Sequence, residues 1–433
     1  MKKRYIILPK EKSTSKAMKT LQHELGVKLV SSAELNSKVK TKDIFNRDKG
    51  LFFKNIGVSV VEMEEEKLKE ILSKDNNILY SEAEREFYPV EEIERDEHNE
   101  LKKLTAIKST LELLNLQVTE LEKDLKKKEN KEDERDEKNE KILQNYTFNM
   151  KALGVEKSHY SGKDINIAIL DTGFYAEHPD FQERKIEGKS FIEGEKWDYD
   201  GAGHGTHCTG VATGNLSLTE QKRYGVAYNA NIFIGKVLSD SSRGLTSNIL
   251  DGIDWALEKQ CKVISLSLGS PVEIGEKPSA IFEHVGRKAL KKGTLIVAAS
   301  GNNSHRPNQL PKPVSSPANV ESIMAVSALT ENLTIAPFSN AGLNASDGGK
   351  VDVAAPGVHI LSCYSKNAKD SKLYKSMNGT SMATPHVAGL LALYFEAFPH
   401  LSALEIWLKL EKNALELKHQ RKRDVGAGLA QAI

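Results

Sequence analysis

Three residues stand where acyl-transfer chemistry could be done. Ser381 follows Gly379-Thr380 and opens an apolar run, Val387, Ala388, Leu390, Leu391, Leu393, Tyr394 and Phe395. That run reads as a buried helix which Thr380 or Ser381 can cap, with Pro385 near its start. A hydroxyl there sits close to free backbone N–H groups and to the positive end of the helix dipole, where developing negative charge is stabilised. Taken alone, the serine is better read as a cap on a core helix. Earlier in the chain, Asp171-Thr172-Gly173 ends an apolar strand, and Gly203-His204-Gly205-Thr206-His207-Cys208 opens a helix. A carboxylate that orients an imidazole, an imidazole that takes a hydroxyl proton and a hydroxyl oxygen that attacks a carbonyl make a nucleophilic hydrolase. Each piece recurs in unrelated proteins. Their combination in the order Asp, His, Ser is far more specific.

The surrounding elements place these groups. Ile165–Asp171, Ile232–Val237, Val263–Leu268 and Thr294–Ala299 read as apolar strands, with helices over His204–Thr213, Ser247–Lys259 and Ser279–Lys291 between them. Buried strands alternating with helices predict an α/β fold with a doubly wound parallel sheet. Ligands then sit beyond the carboxyl ends of the strands, where Asp171, Gly269 and Asn302 fall.

The first ninety residues read as a separate small α+β unit. Its order is strand Tyr5–Leu8, helix Ser15–Leu25, strand Val27–Val30, an extended stretch through Leu51–Phe53 and Val58–Val61, helix Glu64–Leu72 and a last strand from Ile78 toward Tyr88. The order β-α-β-β-α-β predicts a ferredoxin-like sandwich. Leu104, Ile107, Leu111, Leu114, Val118, Leu121 and Leu125 then recur in steps of three and four. That is a heptad seam over three repeats, read equally as self-association through 104–125 or as a helix packed on its own chain. Residues 126–141 are almost wholly charged. The expected domains are 1–90, a charged helical linker at 91–144, and 145–433.

With 61 basic against 60 acidic residues, no global field selects nucleic acid or membrane as a partner. Cys208, Cys261 and Cys363 are scattered and odd in number, so no disulfide framework is expected and a reducing compartment is permitted. The apolar run after Met1-Lys2-Lys3-Arg4 is too short for a signal-peptide core, and no stretch reaches the roughly 18 apolar residues of a membrane span. Cytoplasmic is the default expectation; secreted is the reading if an export signal was trimmed.

Asp171-Thr172-Gly173, Gly203-His204-Gly205-Thr206-His207 and Gly379-Thr380-Ser381-Met382-Ala383-Thr384-Pro385-His386 resemble the three signature segments of the subtilisin-like serine peptidases, the subtilases. The likeness runs from about Gln144 to Ile433. It implies a subtilase fold with catalytic Asp171, His204 and Ser381, and a serine endopeptidase working through an acyl-enzyme without a cofactor in its chemistry. Ala298-Ala299-Ser300-Gly301-Asn302 resembles the segment ending in the family's oxyanion-hole asparagine. Ser242-Arg243-Gly244 and Ser267-Leu268-Gly269 correspond to the two edge segments that bind an extended peptide. Thr246 stands where many members carry an aromatic residue. Cys208 follows His207 as in the proteinase K-like branch, which implies a free thiol beneath the histidine, and Met382, next to the nucleophile, implies sensitivity to oxidation. Asp180 corresponds to one ligand of the family's structural calcium site, although Gly214–Glu220 lacks the usual ligand pattern.

The resemblance also gives the N-terminal unit a role, that of an inhibitory and chaperoning propeptide. Its tail, somewhere in Glu84–Pro89, would lie in the cleft, and the enzyme would be a self-inhibited, autoprocessed zymogen acting on peptide or protein substrates. The alternative is a non-catalytic binding or scaffold protein on a retained subtilase fold, with the heptad helix as its working surface.

Overall fold

In a computed structural model of the chain, residues 2–32, 49–90, 145–215, 222–345, 348–364 and 373–433 are described. The heptad seam, the charged run after it and residues 216–221 lie outside them. Met1–Glu91 and Thr147–Ile433 form one compact unit, and 92–146 make up a second.

Within the first unit, the N-terminal module is a five-stranded sheet in the order β2-β3-β4-β1-β5, from β1 (Lys3–Pro9), β2 (Lys28–Ser31), β3 (Lys49–Phe53), β4 (Val58–Met63) and β5 (Ile78–Ala83). Helices α1 (Thr14–Leu25) and α2 (Glu65–Lys74) complete it. The β-α-β-β-α-β expectation holds with one strand added. The extended stretch through 51–61 is two strands, because residues 54–57 turn back and pair Phe53 with Val58. The strand at 28–31 is therefore an extra edge, parallel to β3.

Strand β1 shows why Tyr5-Ile6-Ile7-Leu8 is apolar without alternation. Tyr5 and Ile7 join Ala17, Leu21, Leu68 and Ile71 in a core of their own. Ile6 and Leu8, on the opposite face, join Phe53 and Val58 in the larger domain's core, with Ile253 and Phe282. Both faces are buried, so both carry hydrocarbon.

After β5 the chain leaves the sheet. The expected single strand to Tyr88 breaks at Glu84-Arg85, and β6 (Glu86–Pro89) belongs to another sheet. It is the middle strand between β10 (Gly244–Leu245) and β12 (Leu268–Gly269), antiparallel to both.

The large domain is a seven-stranded parallel sheet in the order β15-β14-β13-β11-β7-β9-β8. Its strands are β7 (Asn166–Asp171), β8 (Ile186–Ser190), β9 (Asn231–Lys236), β11 (Val263–Leu266), β13 (Leu295–Ala299), β14 (Met324–Leu329) and β15 (Val353–Pro356). A hairpin of β16 (Ile360–Cys363) and β17 (Tyr374–Met377) follows. The helices are α3 (Phe148–Ala152), α4 (His204–Thr213), α5 (Thr246–Glu258), α6 (Ala280–Lys291), α7 (Thr380–Ala397), α8 (Ala403–Asn413) and α9 (Lys422–Val425). The doubly wound α/β expectation holds. The apolar run Val263–Leu268 is broken at Ser267, which frees Leu268-Gly269 to pair with β6. Strand order reverses between β7 and β11, and a cleft opens at such a switch point. Among the described residues no helix is long and apolar enough to cross a membrane.

Candidate active site

Asp171 ends β7 at that switch point. Its Oδ1 lies 2.7 Å from His204 Nδ1 and accepts the Thr172 N–H at 2.7 Å. His204 opens α4, preceded by Gly203 at φ 78°. A Cβ on Gly205 would stand 2.2 Å from the Gly173 carbonyl oxygen, so only glycine lets the helix start approach the Asp171 turn.

Asp200, not singled out in the sequence, ties the two segments together. Its Oδ1 accepts from Thr172 Oγ1 and the Gly203 N–H, both at 2.8 Å, and its Oδ2 from the Thr206 N–H and Oγ1, both at 2.7 Å. The only signal for it was an acid four residues before His204.

Burial works against charge on His204, but the Asp171 carboxylate outweighs it and holds the imidazole well above its ordinary pKa. Buried His207 and His386 are driven the other way, to about 3. Burial raises the Cys208 thiol to about 11, so it is protonated beneath the ring. Its Sγ lies 3.8 Å from His204 Nδ1 and 3.9 Å from Nε2.

Ser381 is the second residue of α7. The helix is not capped by a side chain, since its N-cap residue is Gly379. Thr380 and Ser381 are already helical, and their hydroxyls go elsewhere. In a helix the Ser381 carbonyl would accept the N–H of residue 385, but that residue is Pro385 and has none. Two side chains fill the place: Ser267 Oγ donates to the Ser381 carbonyl at 2.9 Å and the Cys208 thiol at 3.5 Å. The Ser381 hydroxyl in turn donates to the Ser267 carbonyl at 2.9 Å and accepts the Val90 N–H at 3.0 Å.

Asn302 faces it across the cleft. Its Oδ1 accepts the Thr380 N–H at 3.0 Å and the Thr380 hydroxyl at 2.8 Å. That fixes the amide orientation and aims Nδ2 at the Val90 carbonyl, 2.6 Å away.

The residues before Val90 lie along the cleft. Pro89 stands opposite Leu268 and Tyr88 opposite Gly269, while Phe87 and Glu86 pair with Gly244 and Leu245. The Val90 N–H also reaches the Ser267 carbonyl, at 3.4 Å. Of the expected binding segments, Ser267, Leu268, Gly269 and Gly244 meet the tail. Ser242 and Arg243 instead form the turn before β10, closed by the Ser242 N–H to the Ser239 carbonyl at 2.8 Å. The tail runs one residue beyond Pro89, and pairing continues past β10 to Thr246.

Residues 162–428 match the model of the Subtilase family. The chain belongs to the subtilases. Subtilisin DY of Bacillus licheniformis is 37% identical over 268 residues, 62% of this chain and 90% of that protein. Subtilisin BL of Lederbergia lenta is 39% identical over 258 residues, 59% of this chain and 86% of its own length. Subtilisin E of Bacillus subtilis (strain 168) is 35% identical over 270 residues, 62% and 65% of the two chains. This subtilase is a serine endopeptidase that hydrolyses peptide bonds, and its chemistry needs no cofactor.

Asp180, the expected calcium ligand, is held by two tyrosine hydroxyls. Its Oδ1 accepts from Tyr374 Oη and its Oδ2 from Tyr224 Oη, both at 2.7 Å. Both oxygens are engaged by donors, whereas calcium needs six to eight acceptor oxygens around it. Among the described residues, the one cluster of three side chains with metal-ligand spacing is Asp171, His204 and Cys208. That cluster holds the imidazole proton bridge described above.

Proposed function

We propose that Asp171, His204 and Ser381 carry out peptide hydrolysis in this subtilase and that residues 1–90 are its inhibitory N-terminal domain. Val90 carries the reading, with its N–H on Ser381 Oγ and its carbonyl on Asn302 Nδ2. A peptide held so presents the bond between Val90 and Glu91 to the serine.

In the reaction the Ser381 hydrogen turns from the Ser267 carbonyl to Nε2 of His204, and the oxygen attacks the carbonyl carbon. His204 holds the proton while Asp171 balances its charge, then passes it to the leaving amine. The oxyanion takes hydrogen bonds from Asn302 Nδ2 and the Ser381 N–H, one of the unpaired donors at the start of α7. Asn302→Leu is therefore expected to lower kcat by roughly 10²–10³, the range characteristic of subtilisin itself, with KM little changed. Thr380→Val, which frees one side of the Asn302 amide, should cost about tenfold. An unchanged kcat in Asn302→Leu would remove that residue from the oxyanion site.

The pH dependence follows from His204. A raised pKa keeps the ring protonated to higher pH, and a protonated ring cannot accept the serine proton. Turnover should rise with pH through a midpoint above the ordinary histidine value. His207 and His386, near 3, are neutral throughout and add no limb. A kcat profile whose acid limb lies at or below the ordinary value contradicts this.

Inhibition is supported by how the N-terminal domain is tied down. Asp254 Oδ1 accepts the N–H groups of Asn55 and Ile56 at 2.6 and 3.0 Å, and its Oδ2 the Ser32 hydroxyl at 2.8 Å. Ser279 Oγ donates to Glu82, the Ser247 N–H to Glu84, and His284 Nε2 meets the Ile56 carbonyl. A cleaved tail stays in the cleft while these hold. The reading divides the chain at 1–90, 91–144 and 145–433. Self-association through 104–125 is tested by sedimentation of the intact protein against a deletion of that segment.

At Asp180 the reading replaces calcium with the two tyrosines. Excess EDTA should leave the melting temperature unchanged, and a fall of several degrees restored by calcium would refute it. Three free buried thiols suit a reducing compartment and equally a secreted enzyme that uses no disulfide. Fractionation of cells and medium decides between the cytoplasmic and secreted readings.

A fluorophosphonate probe tests the function directly. Label on Ser381 once the N-terminal domain has been removed is the expected result. No label would favour the non-catalytic scaffold.

A further inference from the structure

Peptide recognition in this enzyme continues beyond the paired strands. Arg85, sixth from the Val90–Glu91 bond counting Val90 as first, is held by both main chain and side chain. Its N–H donates to Thr246 Oγ1 at 2.9 Å and its carbonyl accepts the Thr246 N–H at 3.0 Å. Its guanidinium donates to Glu276 Oε1 at 2.8 Å.

The Glu276 carboxylate is positioned without help from the tail. Its other oxygen, Oε2, accepts the Glu273 N–H at 3.0 Å. Asn344 braces the same loop, accepting the Gly275 N–H at 3.0 Å and donating to the Glu273 carbonyl at 3.1 Å. One carboxylate oxygen is thus spent on the loop, and the other is directed at the side chain of whatever residue Thr246 holds. Burial opposes the charged form, but the bond from Glu273 and the Arg85 guanidinium outweigh it, so the group is ionised.

We infer that Thr246 and Glu276 form a subsite that selects an arginine or lysine six residues before the cut, in protein substrates as well as in the enzyme's own tail. Thr246 fixes the main chain at this position, and the fixed anion of Glu276 chooses the side chain. A planar guanidinium suits a carboxylate best, an ammonium serves less well, and an acidic side chain is repelled. The selection is graded, because both partners are partly exposed, at 47% for Arg85 and 30% for Glu276. This rests on the proposal that residues 85–90 lie in the cleft as a substrate does.

The test uses the enzyme after it has processed itself and its N-terminal domain has been removed, with peptides copying residues 83–94 that carry either arginine or glutamate at position 85. Rates are referred to a peptide beginning at Phe87, which lacks the sixth position. At low salt the arginine peptide should have the higher kcat/KM by about two- to fivefold. The preference should fade in 1 M salt, where the screening length falls to about 3 Å. Glu276→Gln should bring the ratio near one, and Glu276→Arg should turn it toward the glutamate peptide. The same ratio in all three enzymes, or no preference in the parent, overturns the subsite. A mass spectrum separates the two levels of the argument. Cleavage after valine without charge preference removes the subsite alone, whereas no cleavage or cleavage elsewhere removes the register beneath it.

Discussion

Ser381→Ala should lower turnover on the order of 10⁶-fold, the loss characteristic of subtilisin when its nucleophile is removed. The fold should survive, because the helix start does not depend on this hydroxyl. The Ser381 carbonyl keeps its bonds from Ser267 and Cys208, and Thr380 keeps Asn302 in place. The hydroxyl gives up one hydrogen bond to the Ser267 carbonyl and one from Val90, about 1 kcal/mol each in a folded protein. The variant should therefore melt within a few degrees of the parent while hydrolysing no peptide above background. A residual rate within a hundredfold of the parent would mean that another group attacks the carbonyl.

Asp171→Asn should cost about 10⁴ in kcat, as loss of the correct histidine tautomer does in serine peptidases of this design. The carboxylate accepts from His204 Nδ1 at 2.7 Å, which fixes the ring proton there and leaves the other nitrogen able to take the serine proton. An amide nitrogen in the same place would donate to Nδ1 and move the ring proton to the wrong side. It would also remove the charge that holds His204 above its ordinary pKa. The acid limb of the variant's residual activity should then move to lower pH. Full activity, or a limb that stays in place, would show that Asp171 does not control the imidazole.

Much of the site could be read from the sequence because its chemistry is concentrated in short segments. Asp171 ends the apolar strand β7, His204 and Ser381 stand in the first turns of α4 and α7, and Asn302 follows the apolar strand β13 by three residues. What escaped depends on chain segments meeting in space. Asp200 stands in a polar loop, and nothing nearby in sequence indicates that its two oxygens collect four donors from Thr172, Gly203 and Thr206. Asp254 looks like the polar face of a helix until the turn at Asn55-Ile56 is laid over it. Ile186–Ser190 holds a single large apolar residue, so the edge strand β8 carries no alternation to read. Thr246 stood out as a missing aromatic residue, yet its role is to bond the main chain of Arg85. In the N-terminal module, the unbroken apolar run of β1 signals a sheet covered on both faces, and the second cover is the large domain.

The most direct test of a peptidase held by its own tail is the N-terminal sequence and mass of the purified chain after incubation. The parent should divide between Val90 and Glu91, giving a fragment that begins Glu91-Glu92-Ile93, while Ser381→Ala stays whole under the same conditions. Division of both proteins alike, or a parent cut first at any other bond, would contradict the account.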